Sequence, residues 1–130
     1  MLLKEDVKKV EINSLFQDKM IPSKNKLSSV EVKSVFNSPD KVFYSNLFKV
    51  LFLSSSSSKK FAVVVPNHIT KKAVERNVVR RKFFSVLSEM YKDTKTGFYV
   101  IIIQKSFLEA EKKDVLLKFK EILVKNKLYL

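Results

Sequence analysis

The stretch Lys71-Lys72-Ala73-Val74-Glu75-Arg76-Asn77-Val78-Val79-Arg80-Arg81 reads as one helix with two chemistries. At about 100° per residue, Arg76, Asn77, Arg80 and Arg81 fall within an arc of roughly 140°. Val74, Val78 and Val79 fall in the opposite arc, so the expectation is that the valines pack inward and the arginines face out. Lys71, Lys72 and Lys82 add charge at the start and flanks. Helical spacing runs over 70–92, with Thr70 placed to cap the start.

Working outward, the strand Lys60-Phe61-Ala62-Val63-Val64-Val65 precedes this helix and stops at Pro66-Asn67-His68. Asp93-Thr94-Lys95-Thr96-Gly97 forms a turn after it. Phe98-Tyr99-Val100-Ile101-Ile102-Ile103 is apolar throughout, as suits a central strand covered on both faces. Residues 41–53 are rich in β-branched and aromatic types, with Phe48, Val50 and Phe52 on one strand face and Leu47, Lys49, Leu51 and Leu53 on the other. The run Ser54 to Ser58 is expected to close a long hairpin between this region and the strand at 60–65. Ser28-Ser29-Val30-Glu31 is a capping box that opens a helix at 28–38, ended by Pro39. Ser106 and Glu109 suggest a second capping box, and Val115, Phe119, Ile122 and Leu123 form the apolar stripe of a last helix reaching Lys125. Residues 1–26 are weakly patterned, with Val7, Val10, Ile12, Leu15 and Phe16 fitting a short helix or an extension, broken at Pro22. The order is α-β-β-β-α-β-α, an α+β two-layer sandwich of helices against one sheet.

Composition narrows the function. The chain has 130 residues, 45% of them hydrophobic, which suits one domain with a real core. With 26 basic and 13 acidic residues, the net charge of +13 calls for a polyanionic partner, nucleic acid before membrane. There is no Cys and a single His, which excludes disulfides, thiolate metal sites and paired-His catalysis. No apolar run reaches the roughly 18 residues that would span a bilayer. The start turns charged at Lys4-Glu5-Asp6, so no secretory signal is expected and the chain reads as cytoplasmic. No spaced carboxylate pair supports acid/base hydrolysis, and no Gly-rich loop supports a nucleotide cradle.

The arc of arginines suits phosphate, because the planar guanidinium fork holds two oxygens at once and keeps its charge. Asn77 brings both donors and an acceptor, for an arginine, a base edge or a sugar hydroxyl. The plainer alternative is a solvated face of a basic protein. Against it, only Glu75 interrupts the charge from Lys71 to Lys82, and arginine dominates one face of a chain that otherwise prefers lysine. His68 lacks partners for metal ligation and fits the loop before the helix, near RNA phosphate. Phe48, Phe61, Phe83 and Phe119 read as core rather than stacking platforms.

The segment from Lys71 to Arg81, with Lys71-Lys72-Ala73-Val74, Arg76-Asn77 and Arg80-Arg81, resembles the signature helix of the bacterial ribonuclease P protein family. Its position directly after a hydrophobic strand, the Val35-Phe36 pair in the first helix, the Ile-rich strand and Leu128-Tyr129 near the end resemble that family too. The likeness covers about residues 20–130. It implies a ribosomal-protein-like α+β fold, resembling the second domain of a ribosomal protein, with a left-handed βαβ crossover. It implies a subunit without catalytic side chains: the partner RNA cleaves precursor tRNA with Mg2+ that the RNA mainly binds, giving the mature 5′ end. It further implies one protein per ribonuclease P RNA, with the signature helix on that RNA. The roles of Arg76, Asn77, Arg80 and Arg81, supported by Lys71, Lys72, Lys82 and His68, follow from it. A cleft between the first helix and the sheet would take the single-stranded 5′ leader, with Phe36, Phe52 and Tyr129 at the matching positions.

The sequence also departs from that pattern. Val78 stands for a third basic residue, Asn67-His68 for a Lys-Lys pair, Val32 for an aromatic, and Phe83-Phe84 for part of a basic stretch, which marks a divergent member. Met20-Ile21-Pro22-Ser23-Lys24-Asn25-Lys26-Leu27 resembles how many members begin. Residues 1–19 are then an extension, or translation starts at Met20. The competing readings are a non-catalytic RNA-binding protein, such as a ribosomal protein, and a DNA-binding or architectural protein.

Overall fold

The computed structural model describes residues 25–56 and 58–130. The expected extension at 1–19, the alternative start at Met20 and the break at Pro22 lie outside the described residues. Helix α1 spans Ser29–Asn37 and opens on the expected capping box. The Ser28 hydroxyl accepts from the Glu31 backbone, and the Glu31 carboxylate accepts from the Ser28 N–H at 2.9 Å. Two of the orphan donors of the first turn are thereby satisfied reciprocally.

Strand β1 is Lys41–Tyr44, β2 Phe48–Leu53, β3 Lys59–Val64 and β4 Gly97–Ile103, in the spatial order β1-β2-β4-β3. β1 and β2 form an antiparallel hairpin turned at Ser45, whose hydroxyl accepts from the Leu47 and Phe48 N–H groups. The expected hairpin across the serine run does not form, because β4 lies between β2 and β3. The reason is the all-apolar pattern of β4. A strand that needs cover on both faces takes the centre of the sheet, where both of its edges are also paired. β2 then lies antiparallel on one side of it and β3 parallel on the other. At the start of β4, beside the start of β3, the Gly97 N–H donates to the Ser58 carbonyl at 2.7 Å. Gly97 has φ +147°, and a Cβ there would overlap the ring of Phe52. This single position explains the chain's only glycine.

Helix α2, Ala73–Met90, connects β3 to β4, so the parallel pair is a βαβ crossover. The helix starts later than Thr70: its N-cap is Lys72, without a side-chain cap. The Thr70 hydroxyl instead donates to the Glu75 carboxylate. Helix α3 is Lys112–Lys125. The second capping box does not form either, since Ser106 lies in a 3-10 turn, Lys105–Glu109, and α3 starts from Glu111. That turn drives the fully buried Phe107 into the core, 5.8 Å from Phe83, which a helix begun at Ser106 would have to give up.

Helices α2 and α3 cover one face of the sheet and α1 covers part of the other. Beneath α2 and α3, Phe48, Phe83 and Phe119 meet edge to face at 5.1, 5.6 and 6.1 Å. Phe61 stacks on Tyr99 at 5.0 Å, and all of the phenylalanines expected in the core are fully buried. Burying each such ring stabilises the fold by about 1.5–3 kcal/mol, and each ring pair adds about 0.5–1.5 kcal/mol. Under α1 the core is smaller: Val35, Leu51 and Val100, flanked by Val32, Leu53 and Ile102. Lys60 of β3 ties α1 down through a 2.8 Å ion pair with Glu31. At the chain end, the Lys95 N–H donates to the Leu128 carbonyl at 2.8 Å, which holds the buried Leu128 against the turn before β4.

Candidate nucleic-acid interface

The buried stripe of α2 is Val79, Phe83, Val86, Leu87 and Met90, at helical spacing. This stripe sets the rotation of the helix and corrects the expected valine face. Only Val79 packs inward, while Val74 is 74% and Val78 58% exposed. Phe83 and Leu87 have more surface to bury than a valine, so they dictate which side meets the sheet. Relative to the expected orientation the helix is turned by roughly one residue step, about 100°. Arg81, Asn77, Val74 and Val78 consequently share the outer side, Arg80 lies toward its margin, and Arg76 falls in line with the buried stripe of Phe83 and Leu87.

The cations of the arc differ in their surroundings. Arg76 is half-buried, and its Nη1 donates to the Lys71 carbonyl at 2.6 Å and the Thr70 carbonyl at 3.2 Å. It thus staples the loop before α2 to the first turn. Arg80 donates from Nη2 to Asn77 Oδ1 at 2.5 Å, so the amide orients the guanidinium. Arg81, Lys71 and Lys72 are exposed. Lys82 turns away: its Nζ donates to the Phe107 and Ala110 carbonyls and stands 4.9 Å above the Phe107 ring. His68 is exposed in the turn closed by the Ile69 N–H and the Pro66 carbonyl. The guanidiniums of Arg76 and Arg80 bond neutral acceptors, a pair of carbonyls and an amide, and each has donors to spare among its five.

The three aromatic residues expected to line one cleft are not brought together. Phe36 is 46% exposed on α1. Phe52 is 5% exposed on the opposite face, 4.9 Å from Tyr99. The expectation for Phe52 is therefore corrected by the register: Lys41 pairs with Phe52 and Val42 with Leu51, so Leu51 and Leu53 are the β2 residues beneath α1. Tyr129 is half-buried against the α2–α3 core, bridged to Thr94, with Lys120 Nζ 5.4 Å over its ring. On the α1 side the exposed aromatic of the sheet is Tyr44, 72% exposed and paired in register with Lys49, whose Nζ lies 5.2 Å over the ring. Sequence reasoning passed over Tyr44. The signal was available in the alternation of β2, which puts Phe48 inward, Lys49 outward and the residue opposite Lys49 outward with it.

Among the described residues no three His, Asp or Glu side chains come close enough to hold a metal ion. Nor does any helix among them have the length and apolarity to cross a membrane.

No curated protein matches the chain by sequence. Its fold does match solved structures. A Staphylococcus aureus RNase P protein mutant with defective mRNA degradation activity superposes with a TM-score of 0.72 at 13% identity, over 90% of this chain and 99% of that one. The RNase P protein from Thermotoga maritima gives 0.66 at 21% identity, over 75% and 94%. At these identities the likeness is one of fold. The sequence profile of the Ribonuclease P family matches residues 21–127, from before α1 to just past the last helix. Together with the basic helix set in the crossover of that fold, this match means that the chain belongs to the Ribonuclease P family, as a protein component of that tRNA-processing enzyme.

Proposed function

We propose that the chain binds ribonuclease P RNA through the outer face of α2 and holds the 5′ leader of precursor tRNA on the α1 side of the sheet. The observation that carries this reading is the arrangement on α2. Arg81, Lys71 and Lys72 are exposed together, with Arg80 aimed by Asn77, on a chain of net charge +13. Such a face binds phosphate and releases condensed counterions, so affinity falls steeply with salt. On the other face, Phe36 and Tyr44 offer rings to unstacked bases, and Lys49 supplies charge over Tyr44, the combination that suits a single strand.

In this reading Mg2+, bound mainly by the RNA, supplies the hydrolytic chemistry. The protein contributes position and charge and binds no ion tightly. It raises the local concentration of the leader near the cleavage site and screens repulsion between the two RNAs. One protein serves one RNA, in the bacterial cytoplasm.

Reconstitution with the source organism's ribonuclease P RNA at low Mg2+ tests the reading. Stimulated cleavage of precursor tRNA is expected. Binding without stimulation would favour a non-catalytic RNA-binding protein, and failure to bind either RNA would end the reading.

A further inference from the structure

The rotation of α2 leaves two valines where a basic helix would carry charge. Val74 and Val78 lie on the same outer side as Arg81, one helical turn apart, and Leu108 from the 3-10 turn stands across from them, 38% exposed. Together with Thr70, Glu75 and the rim of Val79 they line a cleft of about 400 Å³. Two exposed branched aliphatic residues on a helix so rich in cations form a patch without a folding role, because Val79 and Phe83 already anchor the helix. The cleft also contains the only acid of the segment from Lys71 to Lys82. One oxygen of this carboxylate accepts from the Thr70 hydroxyl, and the carboxylate keeps further acceptor capacity for a ligand; without a donor to meet, its charge would repel an RNA strand.

We infer that this cleft seats one unstacked nucleobase of the RNA that α2 holds by its phosphates, with the base plane on Val74, Val78 and Leu108 and its exocyclic amino group donating to Glu75. The inference rests on the RNA-binding reading of α2 and names what that face reads besides phosphate. Charge and shape agree with it. Lys71 and Lys72 lie in sequence between the lining residues Thr70 and Val74, and the exposed Arg81 lies about one helical turn beyond Val78, so cations flank an apolar floor and can take the neighbouring phosphates. A carboxylate accepts readily from the amino group of cytosine or adenine, and it lacks a donor for the O4 edge of uracil. The cleft therefore favours an amino-bearing base, and the acid serves selection. An apolar protein segment would gain nothing from the surrounding cations, so a base is the better occupant.

The test measures affinity for the organism's ribonuclease P RNA across a salt series, using wild type, Val74→Ser/Val78→Ser, Glu75→Ala and Arg81→Ala. Circular dichroism and thermal melts confirm folding. A seated base contributes a contact that releases no counterion. The double serine variant should therefore bind about tenfold more weakly, the loss equivalent to about 1.4 kcal/mol, with an unchanged salt slope. Glu75→Ala should also bind more weakly, although it removes a negative charge. The inference is overturned if the serine variant binds as tightly as wild type, if its salt slope flattens, or if Glu75→Ala binds as tightly or more tightly. Arg81→Ala separates the two levels. A flattened slope there with undisturbed valine and glutamate variants removes only the base site. An undisturbed slope in Arg81→Ala removes the RNA face itself, and the base site with it.

Discussion

Arg80 donates a 2.5 Å hydrogen bond from Nη2 to Oδ1 of Asn77, one turn earlier on the helix. The amide spends its acceptor on orienting a cation and keeps its N–H donors for an RNA ligand. The two residues should therefore act as a unit. In RNA binding, Asn77→Ala and Arg80→Ala are expected to be less than additive, with a coupling of about 0.5–1.5 kcal/mol in a double-mutant cycle. Additive losses would show that the bond does not persist on the RNA.

The arginines should separate by readout. Arg76 bonds the carbonyls of Thr70 and Lys71, so Arg76→Ala should cost stability, about 1 kcal/mol in urea unfolding. Lys71→Ala, at an exposed side chain, should leave stability within about 0.5 kcal/mol of wild type. Arg80→Ala and Arg81→Ala should each reduce the magnitude of the RNA-binding salt slope by about 1. Equal melting curves for Arg76→Ala and Lys71→Ala would contradict the stapling role of Arg76.

Tyr44 and Phe52 make opposite predictions. Tyr44→Ala should weaken binding of leader-bearing precursor tRNA by about 1–3 kcal/mol. It should leave binding of leaderless tRNA and the fold unchanged. Phe52→Ala should instead destabilise the fold by about 3–5 kcal/mol, because the ring is buried against Tyr99. Measuring both tRNAs against both variants separates recognition from folding.

The tie between α1 and β3 gives a pH dependence. The Lys60 hydrogen bond holds the Glu31 carboxyl below its ordinary range, helped by the Ser28 backbone N–H. A carboxyl depressed in the folded state stabilises that state above its unfolded pKa. That contribution disappears as the pH falls through the depressed folded value. Glu31 is close to solvent, so the effect is small. In a carboxyl-detected NMR titration Glu31 should titrate below the other glutamates, and Lys60→Met should move it back toward the ordinary range, with the Ser28 N–H still holding it down in part.

Gly97→Ala should be the most damaging single-methyl change in the sheet. It combines a φ of +147° with overlap between the new Cβ and the Phe52 ring. A loss of about 2–4 kcal/mol is expected from backbone strain and overpacking together. A melt within the error of wild type would mean that the β4 start relaxes without cost.

Much of this molecule was legible without coordinates because local chemistry and core chemistry agree. The Ser28–Glu31 capping box, the apolar run of β4 and the stripe from Val115 to Leu123 each state their structure within one element, and the order of elements follows. The arginine-rich helix was legible too, as a spacing of cations on a turn of known pitch. What the linear order could not carry were relationships between elements. The rotation of α2 about its axis was decided by Phe83 and Leu87 competing with Val74 and Val78 for one sheet face. The larger side chains won because they bury more apolar surface, which turned two valines outward beside Arg81. The strand neighbours were decided by β4 claiming the centre of the sheet, which separated β2 from β3 and left the expected hairpin unformed. The side of the sheet that each aromatic faces was decided by the β1–β2 register, which buried Phe52 and exposed Tyr44. A one-residue step in register exchanges the two faces of a strand, and only cross-strand pairing selects that step.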